Sequence, residues 1–291
     1  MTEGPFPLKG IVQETMLGPL WARATFSKIY PELLNDQKAI EILKNVEYDF
    51  SEVQDYLKEW RGLGLLARAK NFDNALTKYI EKYPNSTIVN IGAGLDTTFY
   101  RVDNEKIRWY DLDLPDAIEF RKKFLSESTR NKFIAKSALD VSWFDQIEFT
   151  KENGIFFIAG GFIYYFTEED ISSLFDAIAR KFPSGELIFD CISKIALKVA
   201  NKRAKKAGIE NLFWQLSIGN PTKQVSKWSE KIQVIDWFTI WRKLQINPTW
   251  NKKTLKMIKI SERLKTAKIV HIKFKEYITN HINIKLLPIE E

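Results

Sequence analysis

Cysteine and histidine are nearly missing from this chain of 291 residues, which contains one cysteine and two histidines. A lone thiol, Cys191, cannot form an internal disulfide, and this favours a reducing compartment such as the cytoplasm. His271 and His281 both lie near the C-terminal end, so the sequence offers no cysteine–histidine metal set and no Ser–His arrangement for nucleophilic catalysis. We therefore expect neither an internal disulfide nor a bound metal.

Long apolar runs are missing as well. The longest, residues 154–166, has thirteen residues, whereas a membrane-spanning helix needs about 20. The first twenty residues contain prolines and glycines but no apolar stretch of the kind found in a signal peptide. These absences predict a cytoplasmic protein without membrane partners.

The chain does contain enough apolar material for a core, since 45% of its residues are hydrophobic and 13% are aromatic. It also carries a net charge of +7, with the excess concentrated in residues 198–206 and 252–285. Such basic stretches can bind nucleic acid, attract an anionic substrate or form an ordinary solvated surface. The composition alone leaves these three interpretations open.

The spacing of apolar residues changes near residue 86. Residues 1–85 show helical spacing, with Asp36 as a helix cap and with interruptions at Gly62 and Gly64. Beyond them, strand-length runs at 87–91, 107–112, 133–138, 155–160 and 186–192 alternate with helical segments at 115–126, 142–149 and 167–182. This alternation predicts an α/β fold with a Rossmann-like, doubly wound, mostly parallel sheet. We expect a helical lid over residues 1–85 and a second domain over 86–291, with a substrate-covering insert at 193–230.

A glycine turn follows the first predicted strand. Gly92 and Gly94 stand directly after it, and Asp113 ends the second strand 21 residues beyond Gly92. In doubly wound sheets such a turn approaches a nucleotide, and such a carboxylate takes the two ribose hydroxyls. A dinucleotide fingerprint needs a third glycine where this chain has Thr97, and Asp96 would repel a phosphate. We therefore predict S-adenosylmethionine, which combines adenosine with a cationic sulfonium and carries no phosphate.

Asp140 follows the third predicted strand, at the same end of the sheet as the glycine turn. A carboxylate beside a backbone N–H can pair with the exocyclic amine of adenine. It can equally well cap the helix that begins near Ser142. The sequence leaves both interpretations of Asp140 open.

Six stretches between residues 17 and 190 together form a specific pattern: "LWARATFSKIYPELLNDQKAIEIL", "LARAKNFDNAL", "IVNIGAGLDTTFYR", "WYDLDLPDAIEFRKKF", "ALDVSW" and "GGFIYYFTEEDISSLF". In order and spacing they resemble the leucine carboxyl methyltransferase family, in particular its bacterial and archaeal branch, which is similar to tetracenomycin-type polyketide O-methyltransferases. The resemblance implies a class I S-adenosylmethionine-dependent methyltransferase with a seven-stranded sheet and an N-terminal helical lid.

The resemblance also implies roles for individual residues. Arg68 would pair with the carboxylate of the cofactor's methionine moiety, a task that suits guanidinium geometry. The two glycines would let the backbone approach the cofactor, Asp113 would hold the ribose, and Asp140 with the Val141 backbone would hold the adenine. The predicted cofactor-binding residues are Arg68, Gly92, Gly94, Asp113, Leu114, Asp140, Val141 and Gly160, and Tyr165 is the candidate that lines the methyl-acceptor pocket.

Gly160 marks a departure from the family pattern, because the carboxyl methyltransferases of this family carry an acid at that position. Its replacement by glycine loosens one cofactor contact and weakens the alternative of a protein C-terminal carboxyl methyltransferase. We predict O-methyl transfer to a carboxylate or hydroxyl of a small molecule, acidic or hydroxylated.

The basic charge keeps an RNA or other nucleic-acid methyltransferase as an alternative. Amino-methylating enzymes carry Asn/Asp-Pro-Pro-Tyr after strand four, where this chain has Ala-Gly-Gly-Phe-Ile-Tyr, residues 159–164. A third class is a cofactor-binding protein without turnover. The sequence does not name the methyl acceptor.

Overall fold

The computed structural model describes residues 11–206 and 214–276, in which nine α-helices and seven β-strands follow one another. The strands are β1 Thr87–Ile91, β2 Arg108–Asp113, β3 Asn131–Ala135, β4 Ile155–Ala159, β5 Glu186–Ile192, β6 Ile232–Thr239 and β7 Ala267–Phe274. The helices are α1 Ile11–Ile29, α2 Gln37–Lys44, α3 Ser51–Lys82, α4 Thr98–Val102, α5 Pro115–Lys122, α6 Glu168–Lys181, α7 Lys194–Lys206, α8 Pro221–Val225 and α9 Lys252–Leu264. Two 3₁₀ helices, Val141–Gln146 and Ile163–Tyr165, follow β3 and β4.

All seven strands form one sheet in the order β3-β2-β1-β4-β5-β7-β6. The first five strands pair in parallel, and β7 lies antiparallel between β5 and β6. The predicted doubly wound, mostly parallel, seven-stranded sheet is therefore confirmed. Because β1 to β5 run in parallel, their carboxyl ends meet at one edge, and the strand order reverses between β1 and β4. Ligands of doubly wound sheets bind at such a reversal.

The third predicted strand is shifted in the structure. The expected strand covered residues 133–138, whereas β3 covers Asn131–Ala135. The reason is register: Ala135 pairs with Asp113, the last residue of β2, so residues beyond Ala135 have no strand to pair with. The helix predicted at 142–149 is the 3₁₀ helix Val141–Gln146, in which bonds reach back three residues, as from Ile147 N to Phe144 O.

Helix α3 continues through Gly62 and Gly64, so the predicted interruption at these glycines is wrong. Gly62 serves packing instead, because a Cβ there would overlap the ring of Phe26 from α1. The only backbone irregularity inside α3 is at Lys58, which has a φ of 45°. The bend therefore precedes both glycines.

Both faces of the sheet are covered. Apolar residues of α3 share a buried cluster with Ile88, Phe156 and Ile188 on one face, and residues of α6 pack against Phe157 and Phe189 on the other. Helices α1, α2 and α5 form a smaller cluster around the glycine turn. Of the N-terminal helices, α3 thus packs directly on the sheet. Within residues 11–206 and 214–276, no helix has both the length and the apolar character that crossing a membrane requires.

Candidate functional site

The carboxyl edge of the parallel strands brings the predicted residues of the glycine turn together. Gly92 and Gly94 follow β1 with φ values of 70° and 46°, a conformation that glycine adopts without strain. Asp113 ends β2 beside them, and the Gly94 N–H donates to its Oδ2 at 2.7 Å. The N–H of Leu114 donates to Oδ1 at 2.8 Å. Asp113 is thereby fixed against the turn, and each of its carboxylate oxygens has a further lone pair for a ligand.

Asp113 is half-buried. Burial raises the pKa of its carboxyl group above the usual value, and the two backbone N–H bonds oppose this effect only in part. A hydrogen-bonding ligand that donates to the carboxylate would add to the stabilisation of the charged form. Vicinal ribose hydroxyls are such donors.

Two side chains rest on the glycines of the turn. A Cβ at Gly92 would lie 2.6 Å from Cδ2 of Phe162, and a Cβ at Gly94 would lie 2.8 Å from Cγ of Met16. In this structure the missing side chains therefore serve the close approach of Phe162 and Met16. Phe162 directly precedes the 3₁₀ helix after β4, and Met16 belongs to helix α1.

Arg121 holds the glycine turn from behind, a contact that no sequence motif predicts. Its Nη1 donates to the carbonyl oxygens of Gly94 and Asp96 at 2.8 and 2.9 Å. Its Nη2 forms a buried ion pair with Asp111 Oδ2 at 2.6 Å. Asp111 stands two residues before Asp113 on β2 and faces the same side, which is the one hint in the sequence of a second buried carboxylate.

A buried set of ion pairs joins the N-terminal helices to the residues after the turn. This helix-to-turn ion cluster consists of Arg23, Asp36, Asp73, Thr97 and Arg101. Asp36 Oδ2 accepts from Arg23 Nε at 3.0 Å, from Arg101 Nη1 at 2.7 Å and from Thr97 Oγ1 at 2.6 Å. Arg101 also makes a bidentate pair with Asp73 at 2.8 and 2.9 Å. Burial alone would lower the pKa of Arg101, but the carboxylates of Asp73 and Asp36 raise it well above its ordinary value.

Asp96 lies next to this cluster. It accepts from the N–H of Thr98 at 2.7 Å, and the pKa of its carboxyl group is lowered. Burial opposes this shift, but Arg23 and Arg101 outweigh it. Arg23 also donates to the Leu95 carbonyl at 2.7 Å. The consecutive carbonyls of Gly94, Leu95 and Asp96 are thus held by arginines from α5 and α1.

Asp140 caps the 3₁₀ helix after β3, as one of the two interpretations predicted. Its Oδ1 accepts from the N–H of Ser142 at 3.1 Å, and hydrogen bonds from Ser142 lower the pKa of its carboxyl group. Around it, Leu114, Leu139 and Val141 are 37%, 41% and 43% exposed. These exposed apolar side chains follow β2 and β3. The cap role of Asp140 is observed, and its contact with adenine stays a prediction.

Arg68 lies at the ends of β4 and β5 rather than against the glycine turn. Its guanidinium packs over Gly161, where a Cβ would lie 2.7 Å from Nη1, and the same Nη1 is 3.4 Å from Asp190 Oδ2. Burial lowers the pKa of Arg68, but Asp190 and Tyr164 outweigh it and the net shift is upward. Asp190 was not among the predicted site residues, because a single acid within the otherwise apolar residues 187–192 gives no local motif.

Gly160, Tyr164 and Tyr165 complete the side of the site that contains Arg68. Phe72 of α3 fills the space beside Gly160, since a Cβ there would lie 2.8 Å from Cε2 of the ring. Tyr164 is buried and donates to Asp190. Tyr165 is half-buried, and its pKa is raised by burial, with Trp214 and Thr15 near its hydroxyl. Both tyrosines belong to the 3₁₀ helix Ile163–Tyr165.

The predicted insert meets the site through its described residues. Gln215 N donates to the Tyr164 carbonyl at 2.7 Å, and Gln215 Nε2 donates to the Tyr165 carbonyl at 2.9 Å. Residues 207–213 of the insert lie outside the described part of the chain. The segment after α7 therefore reaches the 3₁₀ helix that carries both tyrosines.

The described histidine, His271, lies away from this edge. His271 on β7 pairs with Glu186, the first residue of β5, at 2.9 Å, which places it at the opposite end of the parallel strands. His281 lies outside the described residues. Among residues 11–206 and 214–276, no three His, Cys, Asp or Glu side chains are grouped as metal ligands would be.

Comparison with known proteins identifies relatives for most of the chain. A sequence profile described as leucine carboxyl methyltransferase matches residues 16–179. The tetracenomycin polyketide synthesis O-methyltransferase TcmP of Streptomyces glaucescens is 28% identical over 218 residues, which cover 74% of this chain and 78% of that protein. The S-adenosyl-L-methionine-dependent methyltransferase dpfgK of Gibberella zeae is 24% identical over 217 residues, or 69% of this chain and 72% of the relative.

A solved structure resembles the fold. A candidate methyltransferase from Thermobifida fusca superposes with a TM-score of 0.58 at 12% identity, covering 81% of this chain and 93% of the other. At that identity the likeness concerns the arrangement of the sheet and its helices.

Proposed function

The chain belongs to the leucine carboxyl methyltransferase family and is an S-adenosylmethionine-dependent methyltransferase, and we propose that it methylates a carboxylate or hydroxyl oxygen of a small molecule. The match over residues 16–179 confirms the resemblance predicted from the sequence. The family fixes the cofactor and the reaction type. The acceptor and the roles of single residues are the proposed part.

One observation carries the proposal. The Asp113 carboxylate is held by the N–H groups of Gly94 and Leu114 at the reversal of strand order, with lone pairs left for a pair of hydroxyls. This arrangement fits the ribose of S-adenosylmethionine. The neighbouring carboxylate of Asp96 suits a cationic ligand and would repel a pyrophosphate.

The other residues fit the remaining parts of the cofactor. Arg68 would take the methionine carboxylate, and Asp140 with the Val141 backbone would take the adenine. The exposed side chains beside Asp140 would cover the ring. We assign Leu114 to the ribose end, and Gly92, Gly94 and Gly160 to backbone positions that border the methionine portion.

Bound S-adenosylmethionine supplies an activated methyl group on sulfur. The contribution of this chain is to hold the acceptor oxygen in line with that methyl and to keep water away. Tyr165 and Trp214, with Phe162 and Met16 nearby, make an aromatic and apolar wall for the acceptor. An ionised carboxylate acceptor needs no base, and a hydroxyl acceptor would lose its proton to a basic group or to water.

The acceptor class rests on the relatives and on the site. TcmP is named as a polyketide O-methyltransferase. A small hydroxylated or acidic molecule fits the aromatic and apolar wall between α1 and the insert. Residues 1–85 would act as a helical lid on this side, and the insert at 193–230 would cover the acceptor. A cytoplasmic location is part of the proposal, supported by the single buried thiol of Cys191.

Titration calorimetry with S-adenosylmethionine, S-adenosylhomocysteine and NAD tests the cofactor site. We expect the first two ligands to bind and NAD to show no heat, because its pyrophosphate would meet Asp96. NAD binding without S-adenosylmethionine binding would sink the proposal. Methyl-labelled S-adenosylmethionine incubated with a small-molecule extract, followed by identification of the labelled product, would then name the acceptor and distinguish an ester from an ether.

A further inference from the structure

One carboxylate organises the end of the site farthest from the ribose residues. Asp190 Oδ1 accepts from the N–H of Gly161 at 2.6 Å. Its Oδ2 accepts from the Tyr164 hydroxyl and lies 3.4 Å from Nη1 of Arg68. The side chain of Asp190 is only 8% exposed. A β5 residue thus connects the turn after β4, the following 3₁₀ helix and helix α3.

The partners of Asp190 also restrict one another. Gly161 has a φ of 71°, and the Arg68 guanidinium rests where its Cβ would be. Arg68 is therefore held from two sides, by the backbone beneath it and by the carboxylate beside it. A side chain at position 161 would push the guanidinium away, so both the glycine and Asp190 determine where Arg68 points.

The contact with Arg68 is the longest that Asp190 makes. The bond from the Gly161 N–H is 0.8 Å shorter than the 3.4 Å separation from Arg68. A guanidinium has five N–H donors in a planar fork. Among the described residues, Arg68 uses only Nη1 toward Asp190. The other N–H donors of Arg68 are available to a second carboxylate. Before the cofactor binds, Asp190 balances the positive charge of Arg68.

We infer that Asp190 is a positioning residue that holds Arg68 ready for the amino-acid end of S-adenosylmethionine. This inference rests on the proposed cofactor site. Asp190 acts through Arg68, by fixing its side chain over Gly161 before the cofactor arrives, so that little side-chain freedom is lost on binding. The adenosine end is held by other residues at the far side of the strand-order reversal.

Asp190→Asn gives the main test, with three ligands titrated by calorimetry. S-adenosylmethionine and S-adenosylhomocysteine contain the amino-acid end, whereas 5′-methylthioadenosine lacks it and keeps the adenosine. We expect the Kd of the first two to rise about tenfold or more, since a charged hydrogen-bond partner is lost, and that of 5′-methylthioadenosine to stay unchanged. Asp236→Asn, which removes a surface carboxylate paired with Lys243, is the matched control.

A second variant separates positioning from direct contact. In an Arg68→Ala background, Asp190→Asn should add no further loss of S-adenosylhomocysteine binding, because the group through which it acts is gone. Additive losses would overturn the inference. So would an equal loss of all three ligands in Asp190→Asn, which indicates a general structural role, or no loss at all.

Folding of each variant is checked by thermal unfolding before titration. Should Asp190→Asn not fold, Asp190→Glu keeps the charge and displaces it by one methylene, and the same selective loss is expected. An equal effect of Asp190→Glu on 5′-methylthioadenosine would contradict the inference. Failure of the wild-type chain to bind S-adenosylhomocysteine would instead contradict the proposed cofactor site, so the two failures are distinguishable.

Discussion

At the scale of single residues, Asp113 joins two kinds of contact in one carboxylate. Its oxygens receive the N–H groups of Gly94 and Leu114, which fix its orientation before any ligand arrives. The same oxygens face the side where we propose the ribose. A preformed carboxylate of this kind loses little entropy on binding, because the side chain is already immobile.

Asp113→Asn should weaken S-adenosylmethionine binding about ten- to a hundredfold, since a hydrogen bond to a charged group contributes roughly 1.5–3 kcal/mol. The asparagine oxygen can still accept one backbone N–H, so the fold should persist. Calorimetric titration measures the change, and Asp116→Asn, at an exposed position on α5, is the control. An unchanged dissociation constant would show that Asp113 is not at the ribose.

Cys191 gives a second prediction at this scale. The side chain is buried in β5, and burial raises the pKa of its thiol to about 12. The thiolate is the reactive form, so at pH 8 only about one thiol in ten thousand would be ionised even if it were accessible. We expect iodoacetamide at pH 8 to leave the native protein unmodified and to label it fully in urea, as read by intact mass. Rapid labelling of the folded chain would contradict this description of β5.

At the scale of elements, helix α3 has two roles. It packs on the sheet and also carries Arg68 and Asp73 toward the site. Its two glycines, 62 and 64, lie two residues apart and meet different surroundings. Gly62 is covered by the ring of Phe26, whereas nothing lies within 4 Å of a Cβ at Gly64.

Alanine at these two positions should therefore act in opposite directions. Gly62→Ala forces α1 away from α3, and we expect a destabilisation of about 1–3 kcal/mol from overpacking. Gly64→Ala should stabilise by about 0.5–1 kcal/mol, because the helix gains propensity without a clash. Urea unfolding of both variants measures the difference. Equal effects would mean that α1 does not lie on Gly62 in solution.

The elements also show what the sequence could predict. The strands β1 and β5 agree with the predicted strands 87–91 and 186–192, because strands buried on both faces are mostly apolar even where single polar residues such as Asn90 and Asp190 interrupt them. Caps that depend on nearby residues, such as Asp36 before α2, were equally predictable. The end of β3 was not predictable from nearby residues, since it depends on where its neighbour β2 ends.

The site was predictable to the extent that its residues stand in local motifs. The glycine turn and Asp113 follow strands directly and could be recognised by spacing. Arg121 and Asp190 gave no such pattern, because their partners are 10 to 122 residues away along the chain. Only the packing of helices against the sheet brings these side chains to the turn.

At the scale of the whole molecule, charge is unevenly distributed. The excess of basic residues lies on α7 and α9, where Lys198, Lys202 and Lys256 are on outer faces, whereas the site edge carries carboxylates such as Asp96 and Asp113. The carboxylates at the site are accompanied by buried arginines such as Arg23, Arg101 and Arg121. Both a phosphate backbone and an anionic small acceptor would be attracted by the basic helices, and binding measurements distinguish the two.

Filter binding with RNA and duplex DNA at low and moderate salt tests that distinction. We expect weak binding that is lost at moderate salt and no methyl incorporation. The dissociation constants should lie within the non-specific range of about 10⁻⁴–10⁻⁶ M or be weaker. Submicromolar binding to RNA together with methylated RNA would overturn the proposed substrate class. The family and the cofactor would be unaffected by that result.

The helix-to-turn ion cluster bears on how such a chain can evolve by recombination. A crossover at the predicted boundary after residue 85 would take Asp36 and Asp73 from one parent and Thr97 and Arg101 from the other. Unless both parents carry matching partners, the progeny would bury an arginine without its counterion, at a cost of about 3–5 kcal/mol. For parents without matching partners we therefore expect the N-terminal helices and the glycine turn to recombine as one block, and shuffled libraries of such relatives should retain folded members mainly where crossovers fall outside residues 23–101.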